Sequence, residues 1–224
     1  MNRQTTLGLS LIALGVSLLW AILFFRSDSN NGDFTSDELA ILESTDSIMR
    51  VLTIEDPRDL SVLRAPSIDF STEALLSDEF ARLADLMVAT VTHPTQDGVG
   101  IAGPQVGLNR RVVAVQRFDK EGEPFEVYPN ISIVWKSDSL ALGPEGCLSV
   151  PDRREDVARS QEIVIEYTAV LDPYSLSGPH KESGIVTENS LATVRDTISG
   201  FTAVIFQHEV DHLDGILYTD RVSE

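Results

Sequence analysis

The chain has 224 residues, 42% hydrophobic and 23% charged, with a formal net charge of -18. That acidity argues against a nucleic-acid backbone or an anionic lipid surface as a main partner, and no nucleic acid is expected to bind. The single cysteine, Cys147, excludes an internal disulfide framework, so the roughly 190 residues after the N-terminal segment must be held by one buried core.

Residues 7–25 carry no charge and lie between Arg3 and Arg26. A helix over them would span ~28 Å, close to the hydrocarbon thickness of a bilayer. Trp20, Phe24 and Phe25 sit near one end, where aromatic rings favour the interface. No small-x-small cleavage pattern follows the apolar run, which ends Ile22-Leu23-Phe24-Phe25-Arg26. Residues 1–26 are therefore expected to form an uncleaved single-pass membrane anchor, with the side of the following domain left open. Residues 27–37 are polar, contain Asn30-Asn31-Gly32, and read as a flexible linker. Residues 38–224 are expected to form the folded domain.

Within that domain, Leu75, Leu76, Phe80, Leu83, Leu86, Met87 and Thr90 recur at three- and four-residue spacing. The pattern predicts an amphipathic helix over residues 75–91, with Ser77-Asp78-Glu79 as cap-like residues near its start. A loop containing glycine and proline follows over residues 98–107. Residues 111–116 and 162–167 alternate as strands. Residues 173–190 read as a long surface loop, and residues 200–213 as a helix. Strands and helices come in mixed order without regular alternation, which predicts an α+β fold.

That last helix carries the most informative motif, Gln207-His-Glu-Val-Asp-His-Leu-Asp-Gly215. Positions i and i+4 share a helix face, so His208 and His212 can converge on one ion. Glu209 then lies where a carboxylate can take a proton from water on that ion. Two histidines leave a catalytic site one protein ligand short. A third ligand six residues after His212 would be Tyr218, whose phenol pKa near ~10 makes it a poor donor. The alternative is the thiolate of Cys147 in Glu145-Gly-Cys-Leu-Ser149.

Three blocks in order, Gly98-Val-Gly-Ile-Ala-Gly-Pro-Gln105, Glu145-Gly-Cys-Leu-Ser149 and Gln207-His-Glu-x-Asp-His-Leu-x-Gly215, resemble the peptide deformylases. The resemblance runs from about Pro57 to Tyr218. It implies antiparallel sheets packed around a central metal-binding helix, and removal of the formyl group from N-formylmethionyl peptides. It also implies one divalent ion held by Cys147, His208 and His212. Ferrous iron is the usual ion, although one thiolate and two imidazoles also suit Zn(II), Ni(II) and Co(II). By the same resemblance, Gln105 and the backbone N–H of Leu148 would donate to the developing oxyanion, and Glu209 would act as general base and then acid. Glu145 and Arg159 match positions that form an ion pair, and Arg154 one that meets the peptide backbone.

Gly98 and Gly100 are expected to let the backbone approach an extended substrate. Phe201, Val204 and Ile205 share a helical face and, with Val99, are expected to line an apolar pocket for the methionine side chain. Two further features depart from the family. The stretch 175–195 is longer than the usual connection, and the chain has no C-terminal basic helix of the kind that docks some relatives on the ribosome, so strong ribosome docking is not expected. Competing readings are a related metallo-amidase or peptidase acting on another N-acyl substrate, and an inactive membrane-tethered binding protein. The second would be favoured by loss of Cys147, Glu209 or Gln105, and all three are present.

Overall fold

Four helices, eight strands and a long final helix follow one another along the chain, in a computed structural model that describes residues 32–171 and 190–222. Helices α1 (Ser36–Glu43), α2 (Pro57–Leu63), α3 (Thr72–Leu75) and α4 (Asp78–Val91) come first. Strands β1 (Gly100–Ala102), β2 (Val112–Gln116) and β3 (Phe125–Pro129) form one antiparallel sheet in that order. Strands β4 (Ser132–Lys136), β7 (Glu162–Leu171) and β8 (Ser190–Ser199) form a second, in the order β4-β7-β8. Strands β5 (Leu140–Cys147) and β6 (Val150–Ser160) make a separate hairpin, and helix α5 (Gly200–Leu213) follows β8 directly.

The period of two along β2 divides the interior into two cores. Val112 and Ala114 face a cluster built on Phe80, Leu83, Met87 and Val91 of α4. Val113 and Val115 face the opposite way, into a cluster with Ile163, Ile165 and Ile198 of the second sheet and Ala203, Phe206, Val210 and Leu213 of α5. Helix α5 is thus held between two sheets. Each fully buried side chain of this kind contributes roughly 1.5–3 kcal/mol.

The apolar stripe expected over residues 75–91 is divided. Ser77 accepts a hydrogen bond from the Phe80 N–H and caps α4, so Leu75 and Leu76 fall outside it, with Leu75 closing the short α3. The strand expected over 162–167 runs on to Leu171, paired with β8 from Glu162↔Ser199 to Leu171↔Ser190. Most of the long loop expected over 173–190 lies outside the described residues.

The transmembrane helix expected at the N-terminus is corrected. No helix among the described residues is long and apolar enough to cross a membrane. The longest have 14 residues, or ~21 Å, against ~30 Å of hydrocarbon. Residues 7–25 themselves lie outside the described residues. Among the described residues the architecture is α+β with no membrane-spanning helix, and the membrane location inferred from such a helix is withdrawn.

The expected linker also ends sooner than its composition suggested. Thr35 caps α1 in a reciprocal capping box with Glu38. Arg110, fully buried, donates to both Glu38 carboxylate oxygens at 2.6 and 2.7 Å, and to the Asp33 carbonyl. Residues 33–38 are therefore fastened to the domain, while residues 27–31 lie outside the described residues.

Candidate active site

Helix α5 is latched to the β5–β6 hairpin by Gln207. Its side-chain oxygen accepts from the Ser160 N–H at 3.1 Å, and its Nε2 donates to the Ser160 carbonyl at 2.8 Å. One residue on, His208 and His212 stack along the helix with ring centroids 5.1 Å apart. The hairpin reverses at Leu148 and Ser149, where the pairing register shifts between Gly146 and Cys147. That irregularity turns Cys147 towards the helix, and its Sγ lies 3.2 Å from His212 Nε2.

The ligand atoms of Cys147, His208 and His212 all lie within 4.8 Å of one another. Donors bound at ~2.0–2.3 Å to one tetrahedral ion stand roughly 3.3–3.8 Å apart, so small movements would close them on a shared cation. Beside them Glu209 is buried, and its Oε2 has no hydrogen-bond partner among the described residues. A soft thiolate, two imidazoles and a bare carboxylate oxygen fit a divalent ion with a place left for water. The expected residues for that ion are thus brought together.

Around the ligands, buried charge fixes geometry. Glu145 Oε2 lies 2.8 Å from His208 Nδ1, which leaves Nε2 free to face Cys147 and His212. Arg159 donates to both Glu145 oxygens, at 2.7 and 3.0 Å, and to Asp211 at 2.6 Å. The expected Glu145–Arg159 pair is present, and its contact with His208 is a role the sequence did not suggest. Burial alone would raise the Glu145 carboxyl, but hydrogen bonds with His208 and Arg159 outweigh it and pull it down to about 2. Burial lifts Glu209 to about 7. Burial, with the charge of His208, drives His212 well below its usual value. For His208 burial acts downward, yet hydrogen bonds with Cys147 and Glu145 push it up to about 10. A cation must displace that proton to bind.

Gln105, 1% exposed, accepts from the Ala102 N–H at 2.8 Å through its side-chain oxygen. Its Nε2 is thereby turned towards Ser149 Oγ at 3.2 Å and Cys147 Sγ at 3.5 Å. Ser149, fully buried, is a further site residue that sequence reasoning passed over.

A cleft of 720 Å³ opens over this group. Gln105, Cys147, Leu148, His208 and Glu209 reach it, as do Gly98, Val99, Gly100, Arg154, Phe201, Val204 and Ile205. Arg159 and His212 are buried and do not line it. Phe201 is 57% exposed at the rim, and its ring centroid lies 5.4 Å from that of Phe118. The two glycines have a reason beyond substrate approach. A Cβ on Gly100 would lie 2.5 Å from Glu209 Oε1, and one on Gly98 2.9 Å from Val91 Cγ2. Their missing side chains make room for the protein's own groups.

An α+β scaffold that sets one thiolate, two imidazoles and a buried carboxylate at the floor of an open cleft defines a metal-dependent hydrolase. The family model described as polypeptide deformylase matches residues 48–173 and 186–224. Peptide deformylase of Pseudothermotoga lettingae is 31% identical over 180 residues, covering 78% of this chain and 83% of the relative. Peptide deformylase 1 of Vibrio vulnificus is 34% identical over 176 residues, covering 79% and 87%. The actinonin-bound crystal structure of a class I type b peptide deformylase from Acinetobacter baumannii superposes with a TM-score of 0.61 at 31% identity, over 80% of this chain and all of that one. This chain belongs to the peptide deformylase family, metal-dependent enzymes that remove N-formyl groups from nascent peptides.

Proposed function

We propose that the cleft takes N-formylmethionyl peptides and releases formate, with Cys147, His208 and His212 holding one divalent ion. Fe(II) is the ion proposed, and the same donors suit Zn(II), Ni(II) and Co(II). The observation that carries the reading is the approach of those three ligand atoms within 4.8 Å of one another, beside a carboxylate buried at the cleft floor.

When bound, the ion would supply Lewis-acid polarisation of the formyl carbonyl and acidify water at neutral pH. Glu209, buried at the cleft floor with a bare Oε2, is placed to accept a proton from water and return it to the departing amine. Gln105 Nε2, aimed by the Ala102 N–H on its oxygen, and the Leu148 N–H would donate to the carbonyl oxygen as charge develops there; losing one such donor costs about 3 kcal/mol. Val99, Phe201, Val204 and Ile205 would receive the methionine side chain. Gly98, Gly100 and Arg154 would flank the peptide backbone, and Arg154 has no ion-pair partner among the described residues.

Formate release from formyl-Met-Ala, with acetyl-Met-Ala and Glu209→Gln as controls, tests this. Formyl-selective turnover is expected, with Glu209→Gln slower by ~10²–10⁴-fold at unchanged metal content. Equal turnover of both acyl groups would defeat the formyl reading. Actinonin, bound by the Acinetobacter baumannii relative, is expected to compete with substrate.

A further inference from the structure

We propose that the turn over residues 217–221 is a positioning element of the metal site, in which Arg221 holds His208 in orientation through a relay of ion pairs and Tyr218 braces the same ring. The proposal rests on Cys147, His208 and His212 being the ligands.

The relay is continuous. Arg221 Nη2 donates to Asp211 Oδ1 at 2.8 Å and Arg221 Nε to Oδ2 at 3.1 Å. Arg159 Nη1 donates to the same Oδ2 at 2.6 Å, and its other two nitrogens hold Glu145. Glu145 in turn holds His208 Nδ1 at 2.8 Å. Asp211 is buried, and among the described residues Arg221 is the side chain that satisfies its Oδ1. Without Arg221 that oxygen is bare in a dry place, and the nearest guanidinium able to turn towards it is Arg159. Any such turn loosens the fork on Glu145 and frees the imidazole to rotate.

Tyr218 acts on the same ring by packing. Its ring stacks on His208 at 5.8 Å and 22°, and its hydroxyl donates to the Arg153 carbonyl at 2.9 Å. One residue thus touches a ligand and the chain segment carrying Arg153 and Arg154 on the cleft wall.

Two effects of removing Arg221 oppose each other. Loss of a positive charge favours cation binding, while loss of ligand orientation disfavours it. The Arg221 side chain is 42% exposed, so solvent screens the first. Removal of a hydrogen-bonding partner behind a ligand typically lowers metal affinity ~10–100-fold. The geometric effect wins.

Full-length wild type, Arg221→Gln, Arg221→Lys and Tyr218→Phe are stripped of metal and titrated with Zn(II) against a competing chelator. Co(II) absorption spectra and the melting temperatures of the metal-free forms are recorded alongside. Arg221→Gln is expected to lose ~10-fold or more in Zn(II) affinity with an altered Co(II) spectrum, and Arg221→Lys to recover part of both. Tyr218→Phe keeps the stacked ring and loses the hydroxyl, so affinity should hold while KM for a formyl-Met peptide rises. Wild-type affinity and spectrum in Arg221→Gln overturn the relay. Should that variant not fold, Asp211→Asn weakens the same link from its other side, and wild-type affinity and spectrum there overturn the relay equally. A wild-type chain that binds no Zn(II) overturns the ligand set, and the relay with it.

Discussion

Gly100 shows how much chemistry can hang on one missing methyl. The Gly100→Ala side chain would place its Cβ 2.5 Å from Glu209 Oε1, well inside van der Waals contact. The carboxylate must swing away, because the β1 backbone is paired with β2 and cannot give. If Glu209 is the general base as proposed, its displacement predicts a kcat lower by ~10²-fold in Gly100→Ala, with a melting temperature close to that of the wild type. Were the glycine there only to let the peptide approach, KM would rise and kcat would stand. Steady-state kinetics on a formyl-Met peptide separates the two.

At the scale of elements, helix α1 is held by Leu42, buried in the core beside α4, and by a buried charge pair. Glu38 closes the capping box on Thr35 and also takes both bonds from buried Arg110. For Glu38 burial acts upward, but the hydrogen bonds from Arg110 and Thr35 outweigh it and hold the carboxyl below its usual value. A folded-state pKa below the unfolded one adds stability that is present at neutral pH and lost as pH falls through the folded value. Glu38→Gln should therefore unfold at lower urea concentration at pH 7, by about 1.5–3 kcal/mol for hydrogen bonds to a charged group, and the gap to wild type should close as pH falls through the lowered value of the folded carboxyl. A gap constant from pH 7 to pH 3 would show that the pair contributes nothing that depends on ionisation. The polar composition of residues 27–37 suggested a tether because composition does not show which buried cation a later strand start presents. Arg110 lies 72 positions from Glu38.

For the whole molecule, what could be read in the sequence was what repeats locally. The i, i+4 spacing of His208 and His212 follows from helix geometry alone. The third member of the proposed ligand set did not, since Cys147 lies 65 residues from His212 and is delivered by a hairpin reversal that no periodicity announces. Its assignment rested on resemblance. The division of β2 into two cores, the Gln207 latch on Ser160 and the Asp211 ion pairs are contacts between segments distant in sequence, set by pairing register. The apolar run over residues 7–25 invited a membrane reading because length and hydropathy were all that could be weighed there. The same long-range assembly makes a thermodynamic prediction. The ion would join the β5–β6 hairpin to α5, two elements otherwise linked through Gln207–Ser160, Arg159–Asp211, Glu145–His208 and the packing between them. Binding only to the folded chain, it adds stability as RT ln(1 + [L]/Kd), about 4 kcal/mol at a thousandfold excess over Kd. Chelator-stripped protein should therefore melt several degrees below the metal-loaded form, and Cys147→Ser should erase most of that difference while leaving the stripped protein's midpoint nearly unchanged. Calorimetry showing one midpoint for stripped and loaded wild type would mean that the ion does not bridge the hairpin and the helix.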